Sequence, residues 1–439
     1  MSLEEQSNAA SKKATVAVIG LGYVGLPLAL SFVNKGFEVI GIDLDLQKIK
    51  KLEQGISYFP DIHDSVIRSA VSSQRFTVTD NYNGIKSAEI ILLCIPTPLT
   101  SYGTPDLNCL TQAAQEISQR IKVGQLIILE SSTYPGTTKE VLQPILEKSG
   151  LNVENDFFLG YSPERIDPGN NQYSIEGITK VVSGVSETCS RKVYDFYSQV
   201  FSQVIVVSST EVAELTKLVE NSYRFINISF VNELAIICDS LNINVWEIID
   251  AASTKPFGFS AFYPGPGIGG HCIPVDPLYL NWKIKQYGLD SHFIDISNEI
   301  NHKIPKYIVE QIKYRLAPYR PIKQADILLY GVAYKQNVGD VRGSSALEII
   351  KLLQYEGANV SYHDPFVPYV QIDDLKLNSV ELTDELLQKS DCTVVITDHA
   401  HIPLQRILEH ASLVFDTRNA TKGMEGKASV YRFGGGQLK

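Results

Sequence analysis

No two cysteines in this chain are spaced as C-x-x-C. The six, Cys94, Cys109, Cys189, Cys238, Cys272 and Cys392, are scattered, which argues against a disulfide framework and a thiolate metal site. The expected setting is reducing and cytoplasmic. Of the eight histidines only His399 and His401 fall close together; a lone H-x-H beside a strand reads as a loop feature, and no metal is expected. A basic excess is missing too. The formal charge of −10 argues against nucleic acid as a general partner, because phosphate backbones need a cationic footprint. An anionic small molecule remains possible, since it needs only a few local cations and helix N-termini. No apolar run approaches the length that spans a bilayer, and no membrane partner is expected. The first residues, "MSLEEQSNAASKKA", lack the apolar segment of a signal peptide; residues 1–12 are expected to be disordered.

At 439 residues the chain exceeds one ordinary core. Two stretches begin alike. "ATVAVIGLGYVGLPLALSFVNKGFEVIGIDLD" starts with a continuous apolar run, Val16 to Ile19, which reads as a buried parallel strand. A Gly-rich turn, an apolar-periodic helix and a second strand follow. Further strands are expected in "AEIILLCIP", "QLIILESST", "FFLGYSPE" and "KVVSG". The second stretch opens at "ADILLYGVAYK", passes through the helical "SALEIIKLLQYEGA" and reaches "NVSYHDP", "DCTVVITDH" and "SLVFDTRNA". Alternating strands and helices imply parallel sheets. Between the two lies a long run without Pro or Gly, from Ser208 to Ser253, with Ser208 and Glu211 as a candidate capping box. The expected class is therefore α/β, with two doubly wound Rossmann-like domains joined by a long central helix and a helical dimerisation region. The expected boundaries are 13–207, 208–318 and 319–439.

"GLGYVG" supplies Gly20, Gly22 and Gly25 between a strand and a helix, and Asp43 ends the next strand in "GID". That combination is the dinucleotide fingerprint. The glycines let a pyrophosphate meet backbone N–H groups at a helix N-terminus, and the carboxylate suits ribose hydroxyls while repelling a 2′-phosphate. NAD is the expected cofactor.

In "ELTKLVENSYR", Lys217, Asn221 and Arg224 fall at i, i+4 and i+7 on one helical stripe, with Val212, Leu215, Val219 and Ile226 expected in the core. Glu164 in "YSPERIDPG" ends a strand, where open α/β sheets bind ligands. "GPGIGGHCIPVDP" gives Cys272 a permissive loop with four glycines in six residues, His271 beside it and Asp276 after it. Packing, metal ligation and nucleophilic attack are all open to such a thiol.

"GLGYVGLP", "ESSTYPGTT", "SPERIDPG", "ELTKLVENSYR", "GIGGHCIPVDP", "GVAYKQNVGDVR" and "FDTRN" follow one another from about Ala14 to past Arg418. In these the chain resembles the UDP-glucose/GDP-mannose dehydrogenase family. The resemblance implies an N-terminal NAD-binding domain, a central helical dimer spine forming a homodimer, and a C-terminal UDP-binding domain. It makes Cys272 the nucleophile, Lys217, Asn221 and Asp276 its polar partners, and Thr133 and Glu164 the groups handling water and protons. Gly20, Gly22, Tyr23, Val24, Gly25, Asp43, Thr97, Thr133 and Arg342 match cofactor positions, and Lys48 stands where some relatives carry arginine. Lys335 and Arg418 match cations near the substrate, alongside Glu164, Arg165, Lys217 and Asn221.

The implied chemistry is a four-electron oxidation of a UDP-sugar at C6. The first step gives an aldehyde, the thiolate adds to it as a thiohemiacetal, and a second oxidation yields a thioester that water hydrolyses. Family members acting on UDP-glucose read close to GFGGSCFPKD, whereas here His271 and Val275 replace the serine and the lysine. With the arginine-free tract "TKPFGFSAFYPGPG", the loop looks like the branch acting on N-acetylated UDP-hexosamines. It is most similar to the UDP-N-acetylglucosamine 6-dehydrogenases of bacterial surface-polysaccharide pathways, such as capsule or lipopolysaccharide. Gluco, galacto and manno configurations stay open. A UDP-glucose preference is the alternative. A non-catalytic sugar-nucleotide binder would not keep Lys217, Asn221, Cys272 and Asp276 together, and a two-electron β-hydroxyacid dehydrogenase would need neither Cys272 nor a second α/β domain.

Overall fold

The apolar runs of the first stretch form an eight-stranded sheet. Its strands are β1 (Thr15–Ile19), β2 (Glu38–Ile42), β3 (Phe76–Thr79), β4 (Ile90–Leu93), β5 (Leu126–Leu129), β6 (Phe158–Tyr161), β7 (Lys180–Gly184) and β8 (Val204–Val206). The spatial order is β3-β2-β1-β4-β5-β6-β7-β8, parallel throughout except for the β6–β7 pair. Both faces are covered, which is why β1 reads as continuously apolar. Val16 and Val18 join the cluster on one face, with Leu26 and Phe32 of the helix Gly25–Asn34. Ala17 and Ile19 join the other, with Leu110 and Ile117 of the helix Asn108–Ser118. This computed structural model describes residues 13–59, 62–165 and 174–436. The expected disordered segment 1–12 lies outside the described residues.

The second stretch forms a five-stranded, all-parallel sheet. After β9 (Asp326–Tyr330) and β10 (Asn359–His363), a hairpin of β11 (Tyr369–Ile372) and β12 (Leu375–Asn378) stands apart. The sheet is completed by β13 (Cys392–Val395), β14 (Leu413–Asp416) and β15 (Ser429–Arg432) in the order β10-β9-β13-β14-β15. In both sheets the strand order reverses beside the first strand, so the loops leaving β1 and β4, and those leaving β9 and β13, flank a crevice at the carboxyl ends. That is where open α/β sheets take ligands.

The chain divides into two compact units, residues 1–220 with 278–288 and residues 221–277 with 289–439. The region expected at 208–318 is thus shared between them. Its first element is the helix Thr210–Leu241. The capping box expected at Ser208 is shifted by one residue: Ser209 Oγ accepts the Val212 N–H at 3.3 Å. The helical run is also interrupted, because Asn242 takes a left-handed φ of 57° and Asn244 caps a new helix, Val245–Ser253. Asparagine tolerates that conformation through local hydrogen bonding, so no glycine is needed.

The long helix departs in part from the expected burial: of its expected core residues Leu215 and Ile226 are partly buried, and Ala213, Leu218 and Phe225 are fully buried. Lys217, Asn221, Ser222 and Asn232 are buried, whereas Val212 and Val219, expected in the core, are exposed together with Tyr223, Phe230, Ile237 and Leu241. Arg224 is also exposed and leaves the stripe shared by Lys217 and Asn221. No helix among the described residues is long and apolar enough to cross a membrane.

Candidate active site

The loop after β1 forms a cradle at the start of the helix Gly25–Asn34. A Cβ on Gly25 would lie 1.8 Å from the Gly20 carbonyl oxygen, so only glycine lets helix and strand approach this closely. Gly22 has nothing within 4 Å of its would-be Cβ, leaving its backbone open to an approaching group. Asp43 Oδ2 accepts the Leu21 N–H at 2.9 Å and Oδ1 accepts the Asp45 N–H at 2.9 Å. Lys48 Nζ adds a contact at 3.0 Å. The carboxylate is thus fixed in direction at the strand end, beside open backbone, as adenosine ribose hydroxyls require. The Tyr23 ring packs on Phe59 with centroids 4.1 Å apart. The cradle fits a dinucleotide.

The same unit assembles the groups expected to handle protons. Thr97 Oγ1 donates to the Ser132 carbonyl at 2.7 Å, and Tyr279 O–H donates to the carbonyls of Thr97 and Pro98 at 2.6 and 2.9 Å. The loops after β4 and β5 are thereby locked together around Thr133. Its Oγ1 is fully buried without a hydrogen-bond partner in the protein, a state that invites a ligand atom or water. Glu164 and Lys217 are buried together, Oε2 to Nζ at 3.4 Å. Arg165 turns elsewhere, to Glu220 at 2.7 Å and to the Thr179 carbonyl at 2.7 Å. The rest of the "SPERIDPG" motif, from Ile166 onward, lies outside the described residues.

Sequence reasoning missed two buried carboxylates here. Glu214 accepts the Gly136 and Thr138 N–H groups at 2.6 and 2.8 Å and the Thr138 hydroxyl at 2.6 Å, holding the segment after Thr133 against the long helix. Glu130 is paired with Lys180 at 2.7 Å and accepts a hydrogen bond from the Tyr197 hydroxyl. Burial raises its pKa against the opposing effect of Lys180. The available signal was the lone lysine in "KVVSG"; Glu214 gave none, because the glycine turn it holds is 78 residues away.

In the other unit, the Cys272 loop explains its glycines. Gly270 has φ +91°, and a Cβ there would meet the Tyr334 ring at 2.9 Å; one on Gly269 would meet the Gly343 carbonyl oxygen at 2.7 Å. The Gly270 N–H donates to the Arg342 carbonyl at 2.9 Å. A Cβ on Gly265 would lie 2.5 Å from the Arg418 guanidinium. The thiol loop therefore lies directly on the β9 loop that carries Tyr334, Lys335 and Arg342, with Arg418 at its base. Arg418 Nε donates to the Ile396 carbonyl at 2.9 Å, and burial lowers its pKa against Asp398 and Asp416. Asp340 chelates the half-exposed Arg342, with Nη2 to Oδ2 at 2.7 Å.

Cys272 is partly exposed, unlike the buried Cys94, Cys189, Cys238 and Cys392. It lies one turn before the helix Asp276–Lys285, and the N–H groups of Val275 and of Asp276, the first residue of that helix, donate back to the Cys272 carbonyl. Asp276 Oδ2 accepts Asn221 Nδ2 at 2.6 Å, and both side chains are buried. Burial and the Arg342 cation lower the pKa of His271. Among the described residues no cluster of three or more His, Cys, Asp or Glu side chains could hold a metal ion.

A dinucleotide cradle on one parallel sheet, a second parallel sheet rimmed by cations and a loop-borne thiol define a nucleotide-dependent oxidoreductase. Comparison with known proteins makes this specific. Residues 14–205 match the NAD binding domain, 211–303 the central domain and 328–423 the UDP binding domain of the UDP-glucose/GDP-mannose dehydrogenase family, to which the chain belongs. It is 40% identical to Protein CapL of Staphylococcus aureus over 80% of this chain and 81% of that one. It is 36% identical to the UDP-N-acetyl-D-glucosamine 6-dehydrogenase of Pseudomonas aeruginosa over 81% and 84%. The solved UDP-D-ManNAc dehydrogenase of Pyrococcus horikoshii superposes with a TM-score of 0.87 at 29% identity, covering 96% of this chain and 99% of that one.

NAD is the cofactor, and Asp43 carries an expected outcome. If Asp43 takes the ribose role expected of it, removing its carboxylate in Asp43→Ala would take away both the ribose acceptor and the charge that repels a 2′-phosphate, and would leave Lys48 without this partner. The ratio of kcat/KM for NAD to that for NADP should narrow by roughly tenfold or more, as expected for one charge-assisted hydrogen bond. Equal use of both cofactors by the unmodified protein would contradict the assignment.

Proposed function

We propose that the protein oxidises the C6 hydroxyl of a UDP-N-acetylhexosamine, UDP-N-acetylglucosamine foremost, to the uronic acid through a covalent adduct on Cys272. The observation that carries this reading is the seating of the Cys272 loop on the β9 loop and Arg418, which ties a partly exposed thiol to the cations suited to a diphosphate. Bound NAD supplies the acceptor for each of the two electron pairs removed.

The chain's own groups do the rest. Lys335 and Arg418 hold the UDP end. The Lys217 ammonium lowers the cost of negative charge on the C6 oxygen as the alcohol is deprotonated. The Cys272 thiolate forms a carbon–sulfur bond to the aldehyde carbon, and the resulting oxyanion is stabilised in the same way. After the second oxidation, water attacks the thioester carbonyl, the carbon–sulfur bond breaks and the thiolate is regenerated. Glu164 with Thr133, and Asp276 held by Asn221, position that water and accept its proton. The Lys217 cation and the adjacent helix start favour the thiolate.

His271, Val275 and the exposed, arginine-free tract 254–263 favour an acetamido group at C2, as does the 36% identity to the Pseudomonas enzyme. The likeness to the Pyrococcus UDP-D-ManNAc dehydrogenase supports a manno-configured substrate as the second reading. NADH formation with UDP-glucose, UDP-GlcNAc, UDP-GalNAc and UDP-ManNAc tests this. The expected result is a kcat/KM for UDP-GlcNAc at least about tenfold above that for UDP-glucose, the discrimination one pocket feature supplies. A UDP-glucose preference would replace the proposal.

The exposed apolar face of the long helix, Val219, Tyr223, Phe230, Ile237 and Leu241, supports a homodimer. A solution mass of a single 48.7 kDa chain would remove that part.

A further inference from the structure

His399, which reads in the sequence as a plain loop histidine, is 2% exposed and uses both ring nitrogens. Its Nδ1 lies 3.0 Å from the Asn337 N–H and can only accept there. The proton therefore sits on Nε2, which faces Asp364 Oδ2 at 3.2 Å. Asp364, at the end of β10, accepts the Val332 and Ala333 N–H groups at 2.7 and 3.1 Å with the same oxygen. Burial alone would raise its pKa; the His399 and backbone hydrogen bonds outweigh that and hold the carboxyl below its ordinary value. Asn337 has a left-handed φ of 60°, and its Oδ1 accepts the Ala400 N–H at 2.9 Å.

The arrangement is a clamp across the crevice of the second sheet. His399 stands on the loop after β13. It grips the loop after β9 at Val332–Ala333 through Asp364 and at Asn337 directly. Tyr334 and Lys335 lie between these two grips. Tyr334 is the ring on which Gly270 of the Cys272 loop rests. We propose that His399, as the neutral Nε2–H tautomer, is a positioning residue that sets Lys335 and the Cys272 loop for the sugar nucleotide. It touches neither substrate nor cofactor. The inference rests on the reading that this unit takes the UDP moiety.

A structural role through packing makes the opposite forecast from a positioning role. The ring packs tilted against Phe366 with centroids 4.9 Å apart and edge-on against Tyr330 at 6.3 Å. His399→Phe keeps the ring and loses both nitrogens. His399→Asn loses the ring and keeps an acceptor close to the Nδ1 position. UDP binding by calorimetry and KM for the sugar nucleotide are measured for both variants and the unmodified enzyme, with KM for NAD as the internal control. The clamp predicts that His399→Phe weakens UDP binding and raises the sugar-nucleotide KM by roughly tenfold, the effect of a lost buried hydrogen bond. His399→Asn, which keeps the Asn337 contact and loses the one to Asp364, should raise the UDP Kd and the sugar-nucleotide KM by less, roughly threefold to fivefold, with the NAD KM little changed in both variants. The reverse order, with Phe tolerated and Asn impaired, overturns the proposal in favour of packing, and so does equal impairment of both. If the unmodified enzyme binds no UDP, it is the functional reading that falls, and that arm separates the two.

Discussion

Cys272→Ala is expected to give a folded enzyme that binds NAD and makes no sugar acid. The argument rests on the setting of the thiol. Four of the five other cysteines are buried as small hydrophobes, whereas Cys272 stays partly exposed on a loop whose glycines touch Tyr334, Gly343 and Arg418. If Cys272 only packed, its loss would be an ordinary single-site change of roughly 0.5–3 kcal/mol in stability, with turnover intact. As the nucleophile, its loss leaves no route past the aldehyde. Cys272→Ser should stall instead as a slowly hydrolysed ester, visible as a protein mass increase equal to the sugar nucleotide residue. A folded Cys272→Ala variant that forms acid at the unmodified rate would sink the covalent mechanism.

The second large effect belongs to Lys217. Lys217→Ala is expected to lower kcat by roughly 10²–10³, the cost of removing one preorganised donor from a developing oxyanion. The residue is buried on the long helix one turn before Asn221 and faces Glu164 at 3.4 Å, so its truncation also leaves a carboxylate without its cation. Thermal melts separate the two consequences: rates are compared at a temperature where the variant is fully folded. Added primary amine should restore part of the rate, which a purely structural lysine would not allow. An unchanged kcat in the folded variant would rule out the assignment.

Much of this was legible because it depends on local chemistry. Gly20, Gly22, Gly25 and Asp43 sit on one βα turn and the next strand end, and that turn needs those residue types wherever it occurs. The glycines around Cys272 announced a close approach, although the sequence did not say that Tyr334 and Arg418 were what they approach. The long helix misled for a physical reason. Amphipathic reading sends Val212 and Val219 inward with Leu215 and Ile226. This helix instead buries Lys217 and Asn221 among polar partners and leaves an apolar face uncovered. Periodicity reports two faces and not which one is covered.

Other features were beyond a linear reading because their partners are distant in sequence. Glu214 holds Gly136 and Thr138 from 78 and 76 residues away. His399 reaches Asn337 and Asp364 across 62 and 35 residues. The left-handed Asn242 that ends the helix differs from its neighbours only in a conformational tolerance that asparagine leaves unused at most positions.

The central claim, oxidation through the acid level by way of a thioester, is tested most directly by counting NADH formed per UDP-N-acetylglucosamine consumed while the product is weighed by mass spectrometry. Two NADH per sugar, with a product in which two hydrogens have been exchanged for one oxygen, is the predicted result. One NADH per sugar with an aldehyde product would contradict it.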